Sequence, residues 1–326
     1  MKAMLCKAFG EPESLVLEEI ESPPLARNEV RVRVHAAGVN FPDILITQGK
    51  YQYKPDFPFS PGGEAAGEVI EVGAEVSRFR PGQRVVAMAP YGAFAEEMVA
   101  PEPKVMGIPD ELDFTTAASI SLTYCTGAYA LMDRGHLRPG ETLLVHGAAG
   151  GVGLAAVEIG RILGARVIAT AGSDEKLKIA AEHGAQELID YSDGAFKDRV
   201  KELTGGNGAD VIYDPVGGDV FDQSLRCINW GGRLLVIGFA SGRIATAPTN
   251  LALLKSCSIV GVFWGGWTQR DPEGNARVFE QVIDWWREDK IRPHISHTFP
   301  LAQAADALYA LIERKVVGKA VLKVVD

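Results

Sequence analysis

The sequence predicts an α/β protein, with a β-rich stretch over the first ~120 residues followed by a doubly wound parallel sheet. Three observations carry this. Val30 to His35 alternates apolar and polar residues with period two, and Gly/Pro turns surround it. After about Leu122, strand-like and helix-like runs alternate. Within that region one strand, Thr142 to His146, runs straight into a glycine cluster and then a helix.

The elements follow in order. Glu64 to Val72 and Arg84 to Met88 continue the β-rich stretch, punctuated by Pro61-Gly62-Gly63 and Arg80-Pro81-Gly82, which suits a small barrel or sandwich. Helical periodicity over Val152 to Leu163 follows the glycine cluster. Then come a strand (Arg166 to Ala171), a helix (Asp174 to His183), a short strand at Leu188 and Ile189, and a helix (Phe196 to Leu203). Val211 to Tyr213, Arg233 to Ile237 and Ser258 to Phe263 complete the strand series. Ala276 to Arg287 is an amphipathic helix. A last strand–helix–strand tail (Ile295 to Phe299, Ala302 to Arg314, Ala320 to Val324) has no place in a six-strand nucleotide fold.

Composition narrows the function. The 326 residues carry a formal charge of −9 with pI ≈ 5.3, which argues against a nucleic-acid partner gripped by a broad basic surface. No run of ~18 apolar residues suggests a membrane span. Lys7 and Glu11 interrupt the N-terminus too early for a signal peptide. Cys6, Cys125, Cys227 and Cys257 lie far apart without a CxxC pair, which fits four independent thiols in a reducing cytoplasmic compartment.

The glycine cluster is the strongest local signal. In VHGAAGGVG, Gly150 lets backbone approach a pyrophosphate and Gly153 allows close helix–strand packing. Gly151 leads into the helix that begins at Val152, whose free N–H groups and positive dipole end suit phosphates. Ala148 stands where the usual motif has its first glycine. The second strand ends in Ala171-Gly172-Ser173, without the carboxylate that accepts from an NAD ribose. Gly172 and Ser173 leave room for a 2′-phosphate, Lys176 supplies charge, and Tyr191 can add a hydroxyl donor. The cofactor this predicts is NADPH. Gly217, Gly218 and the run Gly238, Phe239, Ala240, Ser241 fall at strand C-termini, where open α/β sheets bind ligands.

The segments AAGVNFPDILITQGKY (36–51), FPFSPGGEAAGEV (57–69), VHGAAGGVG (145–153), YDPVGG (213–218), GGRLLVIGFASG (231–242) and VVGKAVL (316–322) resemble the medium-chain dehydrogenase/reductases, specifically the zinc-free NADPH:quinone oxidoreductases of the ζ-crystallin type. That resemblance implies a GroES-like catalytic domain (1–122), a Rossmann domain (123–264) and a return to the first domain (265–326). It implies hydride transfer from NADPH to a quinone, and commonly a homodimer or tetramer. The zinc-dependent cousins place metal ligands near Asn40, at Gly63 and near Leu122, so the expected metal is none. His294 and His297 are read as structural. By resemblance, Asn40 and Tyr51 line the nicotinamide pocket, Thr126 and Tyr129 lie near it, Phe263 and Trp264 hold the carboxamide, and Lys319 reaches the cofactor from the tail. Asn40 either donates or accepts there, or forms an Asx turn. Asp43 either orients Asn40 or caps a helix. Tyr51 is either a proton donor or a packed aromatic. Two other readings stand beside the quinone: reduction of an activated C=C bond (an enone, enal or enoyl thioester), and a protein that holds NADPH without turnover.

Overall fold

The computed structural model describes residues 1–325. The chain divides into two units: Met1–Leu122 with Pro293–Asp326, and Thr123–Arg292. The return therefore comes at 293 rather than 265. The intervening residues build two helices that pack on each other within the second unit, and the Trp264 indole N–H donates to Asn275 across them (3.1 Å).

In the first unit, β1 (Lys2–Leu5) and β2 (Val16–Glu19) pair as a hairpin. β3 (Glu29–Val39) is followed at once by helix α1 (Phe41–Thr47). β4 (Glu64–Val72), β5 (Arg84–Met88), β6 (Glu97–Pro101) and β7 (Val105–Gly107) complete the early strands. Helix α2 (Phe114–Ala128) carries the chain into the second unit.

The second unit holds β8 (Thr142–Val145), α3 (Gly151–Ile162), β9 (Arg166–Ala171), α4 (Asp174–Glu182), β10 (Glu187–Asp190) and α5 (Phe196–Leu203). β11 (Ala209–Asp214), α6 (Gly218–Cys227), β12 (Ile228–Val236), α7 (Thr249–Lys255), β13 (Ser258–Gly261), α8 (Trp264–Arg270) and α9 (Pro272–Arg287) follow. Its sheet is parallel, ordered β10-β9-β8-β11-β12-β13. That order reverses direction between β8 and β11, the crevice where dinucleotides bind. The strands are short apolar runs because helices cover both faces.

The tail returns to the first unit as β14 (Ile295–Pro300), α10 (Ala304–Ile312) and β15 (Lys319–Lys323). β15 joins β3, and the larger sheet reads β14-β15-β3-β4-β5-β7, with β6 also on β3. Its core is Val, Ala and Ile from the inward positions, sealed by Phe59, Phe94 and Leu308.

One carboxylate closes the second unit. Glu158, buried on α3, accepts from the Tyr124 hydroxyl (2.6 Å), from the backbone N–H of Arg292 (3.0 Å) and contacts His183 Nδ1 (2.8 Å).

Candidate active site

The first unit holds a buried polar cluster at the corner between β3 and α1. Asn40, Asp43, Glu64 and Lys319 are all nearly inaccessible. Lys319 Nζ donates to Asn40 Oδ1 (2.7 Å), Glu64 Oε1 (2.8 Å) and the Val39 carbonyl (3.2 Å). Asn40 Nδ2 donates to the same Glu64 oxygen (2.8 Å) and to the Gly38 carbonyl (3.3 Å). The Leu122 N–H donates to Glu64 Oε2 (2.9 Å). Gly38 makes the close packing possible, because a Cβ there would lie 2.3 Å from Glu64 Oε1 and 2.2 Å from the Ala118 carbonyl.

Lys319 spends its three protons inside the first unit, where it holds Asn40. Glu64 was passed over entirely.

Asp43 and Asn40 form a capping box on α1, and the Asn40 backbone N–H donates to Asp43 Oδ2 (2.8 Å). Orienting the corner and capping the helix are thus one contact. Burial pushes the Asp43 carboxyl up to about 7, while the N–H groups of Asn40 and Gly63 and the Lys319 charge oppose the rise. Tyr51 is half-buried against the same core. Burial, and then the charge of Asp43, raise its phenol above the usual value, so it gives up a proton less readily while remaining a hydrogen-bond donor.

In the second unit the predicted cofactor residues gather along one rim, the C-terminal ends of the strands. β8 leads into a turn in which Gly147 takes φ +56°, and α3 starts at Gly151. A Cβ on Gly153 would stand 2.2 Å from the Gly147 carbonyl. The left-handed turn therefore belongs to Gly147, one residue before Ala148, the position that matches the usual motif's first glycine. Ala148 is instead pinned to β9 by its N–H on the Thr170 carbonyl (3.0 Å). The first-turn N–H groups of Gly151, Val152 and Gly153 have no carbonyl four residues back within the helix. Beneath the loop, His146 bridges Thr170 Oγ1 and Ser224 Oγ (2.9 Å each), and burial pushes it down to about 3, so the support is neutral.

Gly172 follows β9 beside Tyr191, whose ring would lie 3.8 Å from a Cβ there. Ser173 caps α4, its hydroxyl accepting from the Lys176 N–H (3.4 Å), which puts Lys176 in the first turn. After β11, Asp214 Oδ1 accepts from the N–H groups of Val216 and Gly217 (2.9 Å each). This buried Asp214 is a second residue the motif reading missed, although it lies inside the quoted YDPVGG. The loop after β12 docks on this turn through Ala240 N–H to the Pro215 carbonyl (3.0 Å) and Ser241 N–H to the Val216 carbonyl (2.9 Å). Gly217, Gly238, Phe239, Ala240 and Ser241 are thereby brought together.

One further expectation changes. β13 ends at Gly261, so Phe263 and Trp264 are not strand residues. Trp264 is buried with its indole N–H on Asn275, while Phe263 is 59% exposed. Thr126 is buried on α2, and Tyr129 opens a π-helical turn (Tyr129–Arg134) with its ring stacked on Trp267 at 4.4 Å. Trp267 was not anticipated. Among the described residues, no group of three or more His, Cys, Asp or Glu is placed to hold a metal ion.

Comparison with known proteins agrees with this architecture. Residues 26–110 match the family model described as alcohol dehydrogenase GroES-like domain, and residues 151–285 the one described as zinc-binding dehydrogenase. The chain is 42% identical over 325 residues to a quinone oxidoreductase-like protein 2 homolog of Nematostella vectensis, covering 98% of this chain and 88% of that protein. It is 39% identical over 316 residues to a quinone oxidoreductase of Pseudomonas aeruginosa, covering 97% of each. The crystal structure of Escherichia coli quinone oxidoreductase complexed with NADPH superposes with TM-score 0.94 at 30% identity, covering 99% of this chain and all of that one (100%). With a GroES-like unit, a Rossmann unit and relatives matched over nearly their whole length, the chain belongs to the quinone oxidoreductase family of medium-chain dehydrogenase/reductases.

Proposed function

We propose that this protein is an NADPH-dependent quinone reductase that works without a metal ion. The observation that carries the reading is the rim of the second unit, where a phosphate cradle stands beside a β9 that ends in Ala171-Gly172-Ser173 with Lys176 and Tyr191 alongside. The cradle fits the cofactor because glycine alone allows the approach of α3 to its loop at Gly153. When bound, NADPH supplies a hydride. The N–H groups of residues 151–153 would hold the pyrophosphate, and Ser173, Lys176 and Tyr191 would hold the 2′-phosphate. Within the second unit, Thr126 and Tyr129 would serve the nicotinamide end; within the first, Asp43 holds the Asn40 corner. Tyr51 offers a neutral O–H to the reduced oxygen. A quinone asks little else of the protein, since its reduction yields an aromatic ring; positioning carries the catalysis.

The test is NADPH oxidation followed with a 1,4-quinone panel beside enones, enals and enoyl thioesters, with NADH in parallel. Turnover that favours quinones supports the reading. A higher kcat/KM for the C=C substrates moves the activity to that class, and tight NADPH binding without any turnover moves the protein to a binding role.

Lys176→Ala is expected to lower the NADPH over NADH preference by roughly tenfold, the worth of one charge-assisted contact. An unchanged ratio of kcat/KM values removes Lys176 from the phosphate site. A strong chelator is expected to leave the rate unchanged, whereas stoichiometric zinc measured by mass spectrometry in active protein overturns the metal-free reading. Asn40, Gly63 and Leu122 at the positions where the cousins carry ligands support that reading.

A homodimer is part of the proposal. Among the described residues β13 pairs only with β12, leaving its other edge open, and Ile259 on it is exposed. Leu253 and Leu254 on the preceding α7 are 78% and 66% exposed. Ile259→Arg is expected to give monomer by light scattering, and an unchanged mass rules out this edge. A cytoplasmic setting is proposed on four cysteines that lie far apart in the sequence with no CxxC pair. Among the described residues, no helix is long and apolar enough to cross a membrane.

A further inference from the structure

We propose that His146 and Thr170 are positioning residues that set the span between the pyrophosphate cradle and the 2′-phosphate corner, and with it the preference for NADPH over NADH. The inference deepens the NADPH-dependent reading and rests on it. Every part of it lies within the second unit. The loop after β8 grips Thr170 of β9 at two points. The Ala148 N–H donates to the Thr170 carbonyl (3.0 Å), and His146 Nδ1 meets the Thr170 hydroxyl (2.9 Å). Thr170 in turn stands just before Gly172 and Ser173, where the 2′-phosphate corner begins.

The hydrogen-bond partners assign the protons of this hold. Ser224 Oγ on α6 donates to the Val220 carbonyl (2.7 Å), so toward His146 Nε2 (2.9 Å) it accepts. Nε2 therefore carries the ring proton, and Nδ1 accepts from the Thr170 O–H. The other tautomer would turn the Thr170 proton to the Val145 carbonyl at 3.4 Å and pull the Ser224 proton from its shorter bond. His146, Thr170 and Ser224 are each 0% exposed, so a fully satisfied chain braces β8, β9 and α6 from inside. With no surface to offer a ligand, these side chains act through the backbone they hold. A ligand that carries both phosphate groups gains from both sites only when their separation matches its own, because its second contact is intramolecular. NADH lacks the 2′-phosphate and is indifferent to that separation.

Two variants loosen the hold without removing a phosphate contact. Thr170→Val deletes the hydroxyl at similar volume and keeps the carbonyl grip. His146→Leu leaves neither hydroxyl orphaned, since Ser224 already donates to Val220 and Thr170 can turn to Val145. Calorimetry reads Kd for ADP (cradle alone), 2′-AMP (corner alone), 2′,5′-ADP and NADPH (both), and thermal melting checks folding. Each variant is expected to raise Kd for 2′,5′-ADP and NADPH roughly tenfold while ADP and 2′-AMP stay within about twofold. Thr170→Ser, which keeps the hydroxyl, is expected to bind as wild type. An equal loss for all four probes would mean that the hold is merely structural and would overturn the proposal, as would four unchanged values. Wild-type protein that binds 2′,5′-ADP but reduces no quinone fails the functional reading alone, and the probes still decide the span. Wild-type protein that binds 2′,5′-ADP no better than ADP overturns the cofactor reading and the proposal together.

Discussion

Lys319→Met is expected to cost about 3–5 kcal/mol of folding stability. The cost is not the loss of a favourable ion pair. It is the carboxylate left behind. Glu64 is buried to 1% exposure and keeps only neutral donors, the Asn40 amide and the Leu122 N–H, once the ammonium is gone. Two segments also lose their tie: β15 to the corner after β3, and β15 to the first residue of β4. Chemical denaturation of Lys319→Met beside Glu64→Gln/Lys319→Met checks the cause. The paired variant is expected to recover most of the loss, since no buried charge is then unmatched. Equal destabilisation in both would show that side-chain packing, not charge, sets the effect.

Gly153→Val is expected to raise NADPH Kd by roughly 100-fold or more, the equivalent of one or two charge-assisted hydrogen bonds to phosphate. Any Cβ at this position overlaps the Gly147 carbonyl at 2.2 Å and the Ala148 Cα at 2.9 Å. Both obstacles are backbone, so neither can rotate away. α3 must move off its loop, and the N–H groups of its first turn move with it. Overpacking of this kind also costs about 1–3 kcal/mol of stability. Gly107→Ala is the control, because no atom lies within 4 Å of a Cβ there. Titration with NADPH separates the outcomes, and a Gly153→Val protein that binds as wild type removes the cradle from cofactor binding.

The second unit was the more legible part of the fold. Its strands and most of its helices follow the two periodicities, and β8 running into the glycine turn locates the sheet's switch point. α2 escaped because FTTAASISLTYCTGA has little polar face to give it a period, most of its residues being buried. α6 did show one, with Phe221, Leu225 and Cys227 turned inward, but two glycines before it read as loop. β7 has three residues and β1 four, too short for alternation to register.

The site divides the same way. Residues near one another in sequence, such as Gly150 to Gly153 or Gly172 to Lys176, announce themselves by spacing. Glu64 and Lys319 are 255 positions apart, and no spacing rule connects them. A charged residue opening a strand reads as a solvated end. The only hint was that Glu64 begins a run, EAAGEV, whose first four residues are all buried.

Glu158 has a consequence for the ancestry and engineering of the chain. The stretch from Thr123 to Arg292 begins and finishes at the same carboxylate, through Tyr124 and the Arg292 N–H. Its two termini are therefore neighbours, as a cassette requires if it is to be spliced into a host without prising the host open. The host's own sequence is interrupted, yet β15 still finds β3 because the interruption spans no great distance at its base. In such an arrangement the nucleotide module can be exchanged or circularly permuted as a single part, with Glu158 as its clasp.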